Sequence, residues 1–405
     1  MLNLKLDLLQ TLSVAAVLYF IGLQLRQRIG WLDRLNIPAA VVGGMLFALL
    51  VLVGRDRFLS VQLDTAAQPV LSVAFFSTIG MSASLALLRA GGLQVLIFLL
   101  FSTVFCFVQN FLGITIARAF GENPLLGVMA GSVTLVGGPA TGLAFAPLLE
   151  QAGLIGAGTL ALTSATFGIV CGGLTGTPIG TWLIRKFHLT PNARPNAKGE
   201  DGSGDAMARP AVIVVEPDRE DAPLLMNMIV LAVAMGIGSI LSRWFQGLGW
   251  TLPAYIGAMM VASLFRNLDD VTGWLKIDPA AMDFVGGFAL NIFLVVALMD
   301  LKLWQLAGQA LPLFVILAAQ VAVIAAFALS ASFRLMGRDY DSAVMASGFV
   351  GFALGTTANA VANMRSLVTK FGPAPRAFLV VPLVGAFFID FANAIIITFF
   401  VNWLR

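Results

Sequence analysis

Two stretches of this 405-residue chain could do chemistry away from its loops. One reads LVGGPATGLAF and carries Gly137, Gly138, Pro139 and Thr141. The other reads LGTTANAVAN and carries Gly355, Thr356, Thr357, Asn359 and Asn363. Neither holds a charge. Glycine lets a ligand reach the bare backbone. Pro139 suits the first turn of a following helix, and Asn359 and Asn363, four apart, share one helix face. A helix broken at such a point exposes unpaired N–H groups at a positive dipole end, which suits a carboxylate. It also exposes unpaired carbonyls, which suit Na⁺. Threonine hydroxyls and asparagine amides add donors and acceptors without the cost of burying a charge. This is the chemistry of binding, not of bond breaking. The only histidine is His188, and the two cysteines, Cys106 and Cys171, are far apart in sequence. A Ser–His hydrolase and a zinc centre are therefore excluded. Tyr340–Asp341 is a faint echo of an aspartyl protease, but a second carboxylate in a matching motif is missing.

Asp390 is the other singular residue. It stands in VGAFFIDFANAIIITFF, about 14 residues from the nearest basic residue on either side. An acid in such a setting costs several kcal/mol unless it is paired, protonated or coordinating. It can serve as a cation ligand, a proton carrier or a partner for a substrate ammonium, or it can be satisfied by a neighbouring helix. Asn393 shares its face. The Na⁺ site candidates are Asn110, Thr134, Thr166, Asp390 and Asn393. Gln109, Gln320, Thr163 and Ser164 could complete an ion site or bond between helices. Small residues in apolar helices ordinarily serve close packing. Two such segments at related positions, both dense in hydroxyls or amides, point instead to a ligand.

The elements that position these residues are membrane helices. Charged residues make up only 11% of the chain against roughly a quarter in soluble domains, so its outside must face lipid. Twelve apolar runs, from Leu8–Leu25 to Ala377–Leu404, predict an all-α polytopic membrane protein; barrel strands would alternate. The first run lacks a strongly basic start and a small-residue cleavage site, so it is expected to stay as a span. No disulfide framework is expected. The pI of 9.1 reflects single basic residues in loops and implies no nucleic-acid partner.

A polar segment, 188–223, separates an N-terminal unit, 1–187, from a C-terminal unit, 224–405. Its Pro, Gly, Asn and charge content predicts a flexible linker. The units are related by a shift of about 216 residues. FGENPLLGVMAGSV from Phe120 matches MGRDYDSAVMASGF from Met336. Gly22 meets Gly238, Pro38 meets Pro253, Phe76 meets Phe293, Gly91 meets Gly308, Gly138 meets Gly355 and Gly168 meets Gly385. A register kept across six segments predicts a duplication. Irregular backbone at membrane depth is tolerated only when sheltered or wet. The fifth segment of each unit, about 124–150 and about 343–370, is therefore expected to be a re-entrant hairpin. Each unit then has five spans and one hairpin, and the two are inverted. With the N-terminus outside, 17 of the 24 Lys and Arg fall inside, better than six full crossings per unit allow. Both termini are then periplasmic and the linker cytoplasmic. Inverted repeats with paired broken helices point to a secondary transporter whose site lies where the breaks meet. A channel would need a continuous pore, commonly with symmetric rings.

In GSVTLVGGPATG, GTTANAVANM and FGPAPRAFLVVPLVGAFFIDFANA the chain resembles the bacterial sodium/glutamate symporter family, over nearly its whole length. The resemblance implies Na⁺-coupled symport of L-glutamate across the inner membrane. It also implies an elevator-like mechanism and a scaffold that often dimerises, so a homodimer is expected. By that likeness the first two spans of each unit form the scaffold and the rest the moving core. The family more often has GGHGT where this chain has GGPAT, so Pro139 stands in place of histidine. With no well-placed intramembrane arginine, helix termini with Thr and Asn side chains are expected to hold both carboxylates, and Asp390 the ammonium or Na⁺. Another small carboxylate, coupled to Na⁺ or H⁺, is the alternative substrate.

Overall fold

The computed structural model describes residues 2–35, 37–54, 59–191, 222–248, 252–306 and 308–404. Most of the 188–223 segment lies outside the described residues. The fold is helical: α1 (Leu8–Arg28), α2 (Ala39–Gly54), α3 (Ala67–Ser82), a short α4 (Leu85–Ala90), α5 (Gly92–Ala119), α6 (Pro124–Val133), α7 (Gly138–Gln151) and α8 (Ala157–Lys186) form the first unit. The second has α9 (Ala222–Gly247), α10 (Ala254–Thr272), α11 (Pro279–Met299), α12 (Ala310–Leu335), α13 (Tyr340–Leu354), α14 (Thr357–Phe371) and α15 (375–404), the last with a π-helical turn at Val384–Phe388. Among the described residues six helices are long and apolar enough to cross a membrane, and α2, α3, α6 and Ile389–Leu404 are shorter apolar helices. The chain is a multi-pass membrane protein. One feature adds to the all-helical expectation: β1 (Leu2–Leu6) pairs in parallel with β2 (Leu59–Leu63).

Local chemistry sets the helix starts. Asp7 and Gln10 close a capping box on α1, and Asn123 followed by Pro124 opens α6. Asp278, Asp339 and Thr356 cap α11, α13 and α14. Large apolar side chains such as Leu9, Phe20, Leu100, Phe284 and Phe314 stay exposed, as a lipid-facing surface requires.

The helices sort into two bundles. α1 packs on α2 and α9 on α10, and α3 and α11, packed on each other, join the two pairs. The first two spans of each unit, expected to form a scaffold, thus pack with the third. Small residues are the reason. Gly80 lies against the Met259 carbonyl and Gly286 against the Thr78 hydroxyl, too close for a side chain at either place. The second bundle holds α5, α12, both broken segments, α8 and α15. At the boundary Tyr255 of α10 stacks on Phe76 of α3 (4.7 Å) and meets Phe145 of α7 edge-on (5.3 Å).

Each broken segment returns to where it starts. The Asn123 amide donates to the Gly153 carbonyl at 3.1 Å, so α6 and α7 open at one mouth. That mouth lies beside the connection from α11 into α12, where Thr159 donates to the Lys302 carbonyl at 3.2 Å. The Tyr340 hydroxyl donates to the Gly372 carbonyl and closes the mouth of α13 and α14. This second mouth lies at the far end of α12, where Phe333 stacks on Phe187, just past the end of α8 (5.2 Å), and Gly372 meets Pro191.

Candidate functional site

The two breaks meet. In the first, the backbone leaves helical geometry at Gly131 (φ −103°, ψ −132°) and resumes at Gly138, in a left-handed conformation (φ +67°) that favours glycine. In the second, α13 ends at Gly355 (φ −154°, ψ −95°) and α14 starts after Thr356. A β-carbon on Gly138 would lie 3.6 Å from the Gly355 carbonyl and 3.8 Å from the Thr356 methyl. The N-termini of α7 and α14 therefore converge. The N–H groups of Gly138, Ala140, Thr357 and Ala358 have no intrahelical acceptor, while Pro139 has none to offer. Two positive helix ends at one point favour negative charge there.

Side chains hold the breaks open. Asn110 of α5 accepts from the Ser132 N–H at 2.9 Å, and Asn393 of α15 donates to the Ser132 carbonyl at 2.8 Å. Thr134 folds back onto the Met129 carbonyl at 2.6 Å. The Thr357 hydroxyl donates to the Gly385 carbonyl at the π-helical turn. Asn359 and Asn363 both face α8, as their spacing requires, and donate to Ile169 (2.7 Å) and Gly172 (2.9 Å) carbonyls. One amide N–H of each is thereby engaged. Asn359 keeps a buried, unpaired Oδ1, an acceptor that suits a cation or an ammonium. The Asn363 oxygen accepts from Thr177 at 3.3 Å.

The candidates separate accordingly. Gly137, Gly138, Thr141, Gly355, Thr356 and Thr357 lie at or beside the junction, and Asn359 borders it through Gly355. Asn363, nearly two turns along α14, braces α8. Asn110, Thr134 and Asn393 gather at the Ser132 turn. Thr166 sits half-buried on α8, apart from them in the hydrogen-bond network. Asp390 is half-buried one turn before Asn393, interacts electrostatically with Cys106 of α5, and receives no hydrogen bond among the described residues.

Among the described residues no group of three His, Cys, Asp or Glu could hold a metal. Buried unpaired oxygens at the breaks include Ser132 Oγ, Asn359 Oδ1 and Asn393 Oδ1, all neutral. With the carbonyls of the two broken ends they fit a hard monovalent cation. A cavity of about 450 Å³ runs along α7 between the bundles, lined by Leu143, Ala144, Leu148, Gln151 and Tyr255, and reaches to one turn from Thr141. The junction itself does not line it.

Of the glycines behind the second hairpin, only Gly168 was singled out in the sequence, and for the internal register alone. Gly168, Gly172, Gly176 and Gly180 of α8 recur every four residues and seat α13 and α14. That spacing was the available signal.

The comparisons with known proteins agree. The family profile described as sodium/glutamate symporter matches residues 4–373. A sodium/glutamate symporter of Escherichia coli (strain K12) is 38% identical over 394 residues, covering 97% of this chain and 96% of the relative. One of Shigella flexneri matches to the same extent. One of Haemophilus influenzae is 37% identical over 387 residues, covering 95% of each. These relatives are transporters, not enzymes. With a match across nearly its full length and two broken helices meeting at their N-termini, the chain belongs to the sodium/glutamate symporter family.

Proposed function

We propose that the protein carries L-glutamate into the cell with Na⁺, by elevator-like movement of the hairpin bundle against the scaffold, as a homodimer in the bacterial inner membrane. The convergence of the α7 and α14 N-termini carries this reading. Glutamate has two carboxylates, and the junction has two positive helix ends. The ammonium and Na⁺ fall to the acceptors around the junction: Asn359, Asn393, Ser132 and Asp390.

The repeats are inverted, with units at 1–187 and 224–405 and a cytoplasmic linker between them. Support comes from the hairpin mouths at opposite ends of α12. Further support comes from Gly22 and Gly238. Each sits where the first helix of its unit crosses the second with no room for a side chain. The elevator reading is supported by the two bundles and by the cavity along their boundary. The hairpin of α6 and α7 opens to the periplasm with both termini, and that of α13 and α14 to the cytoplasm.

Uptake of labelled L-glutamate into proteoliposomes tests the reading, with and without an inward Na⁺ gradient and with aspartate, malate and citrate as competitors. Na⁺-driven accumulation blocked only by glutamate-like compounds is expected. Gradient-driven uptake of a different anion would overturn the substrate, and uptake indifferent to Na⁺ would overturn the coupling.

A further inference from the structure

Two consecutive residues of α5 reach the two different breaks. Asn110 Oδ1 accepts from Ser132 N–H in the first hairpin at 2.9 Å. Gln109 Nε2 donates to the Ala353 carbonyl in the second hairpin at 3.0 Å, two residues before Gly355. Neighbours on a helix point about 100° apart, so one dipeptide can serve two flanking elements. Gln320 of α12 braces the pair by donating Nε2 to the Gln109 carbonyl at 2.7 Å. Gly131, where the first hairpin unwinds, packs on the same dipeptide: a β-carbon there would lie 2.6 Å from Asn110 Oδ1 and 3.2 Å from the Gln109 carbonyl. All three amides are fully buried. Each also keeps one unpaired polar atom: Gln109 Oε1, Asn110 Nδ2 and Gln320 Oε1.

We propose that Gln109, held by Gln320 and joined to Asn110, couples the two breaks, so that cation binding at one sets the geometry that receives the substrate at the other. This rests on the Na⁺–glutamate reading above and assigns its linkage to named residues. The carbonyls near a helix C-terminus lack intrahelical donors. The Ala353 carbonyl is one of these, and a side-chain donor fixes its direction. A cation that orders the Ser132 turn pulls on Asn110, and the adjoining peptide carries that shift to Gln109 and so to Ala353. Gln109 and Gln320 act as positioning residues; neither touches the substrate.

The test is the linkage ratio, the glutamate Kd without Na⁺ divided by the Kd with saturating Na⁺, measured on purified protein. Coupling between two sites is a ratio of affinities, which uniform damage leaves unchanged. Gln109→Met keeps the volume and removes the donor. Its ratio is expected to fall roughly fivefold or more, with the Na⁺-free Kd within about threefold of wild type. Gln320→Met, which leaves Gln109 in place, is expected to lower the ratio less. A wild-type ratio that both variants retain would overturn the coupling role alone, as would equal weakening of both Kd values. A wild type with no Na⁺-linked affinity would overturn this proposal together with the symport reading.

Discussion

Gly351 is the place to test whether hairpin geometry sets transport. It lies one turn before the second break, where α13 passes α14. A β-carbon there would lie 2.6 Å from both the Cα and the backbone N of Ala360 and 2.8 Å from the Asn359 carbonyl carbon. Ordinary contact begins at 3.4 Å, so Gly351→Ala must part the two arms by about 0.8 Å. Backbone lies on both sides, and no flexible side chain can yield instead. Overpacking of this kind costs about 1–3 kcal/mol. The displaced segment carries Asn359, whose bond to Ile169 is 2.7 Å, and it adjoins the free N–H groups of Thr357 and Ala358. A misplacement of about 1 Å can cost on the order of a hundredfold in rate. Glutamate uptake by Gly351→Ala is therefore expected to fall at least about tenfold in kcat/KM, with a lowered Tm. Gly173→Ala is the control: it lies on α8, and a β-carbon there meets nothing within 4 Å. It should transport as wild type. If Gly351→Ala kept wild-type kcat, KM and Tm, the tight hairpin would not be what places the binding groups.

Asp390→Asn keeps the shape and removes the charge. Its half-saturating Na⁺ concentration in uptake assays should rise roughly tenfold, the scale of one lost charge interaction; unchanged Na⁺ dependence would remove Asp390 from the ion site. Below the second hairpin, Asp339 accepts from the Ser342 N–H and hydroxyl and pairs with Arg376. Burial alone would raise its pKa, but the Ser342 bonds and the Arg376 charge outweigh it and hold the carboxyl below its usual value. A depressed carboxylate stabilises the fold above its unfolded pKa, about 3.9, and that stability is lost as pH falls through the lower folded value. Melting followed from pH 7 to pH 3 should show this acid loss in wild type and a shallower slope in Asp339→Asn. An identical slope would mean that the clamp holds nothing.

Some of this was legible in the sequence because its physics is local. Pro139 in a first helical turn follows from one residue and its missing N–H. The common face of Asn359 and Asn363 follows from helical pitch alone. What the sequence could not show is what those faces meet. Asn359 was expected to offer donors to a carboxylate. One of its two amide N–H groups is held by Ile169, 190 residues away, and its Oδ1 is left unpaired. The boundary between the two bundles was hidden for the same reason. α3 and α11 are about as apolar as the spans of the second bundle, and it is close fits such as Gly80 of α3 on Met259 of α10 and Gly44 of α2 on Leu298 of α11 that set which helices they join. Gln109 and Gln320 carried a visible cost, since a buried amide must find partners. Yet the cost names neither the partner nor the break that the partner belongs to. A local rule states what a residue needs; in a bundle where every helix surface is apolar, which neighbour meets that need is decided by packing between units far apart in the chain.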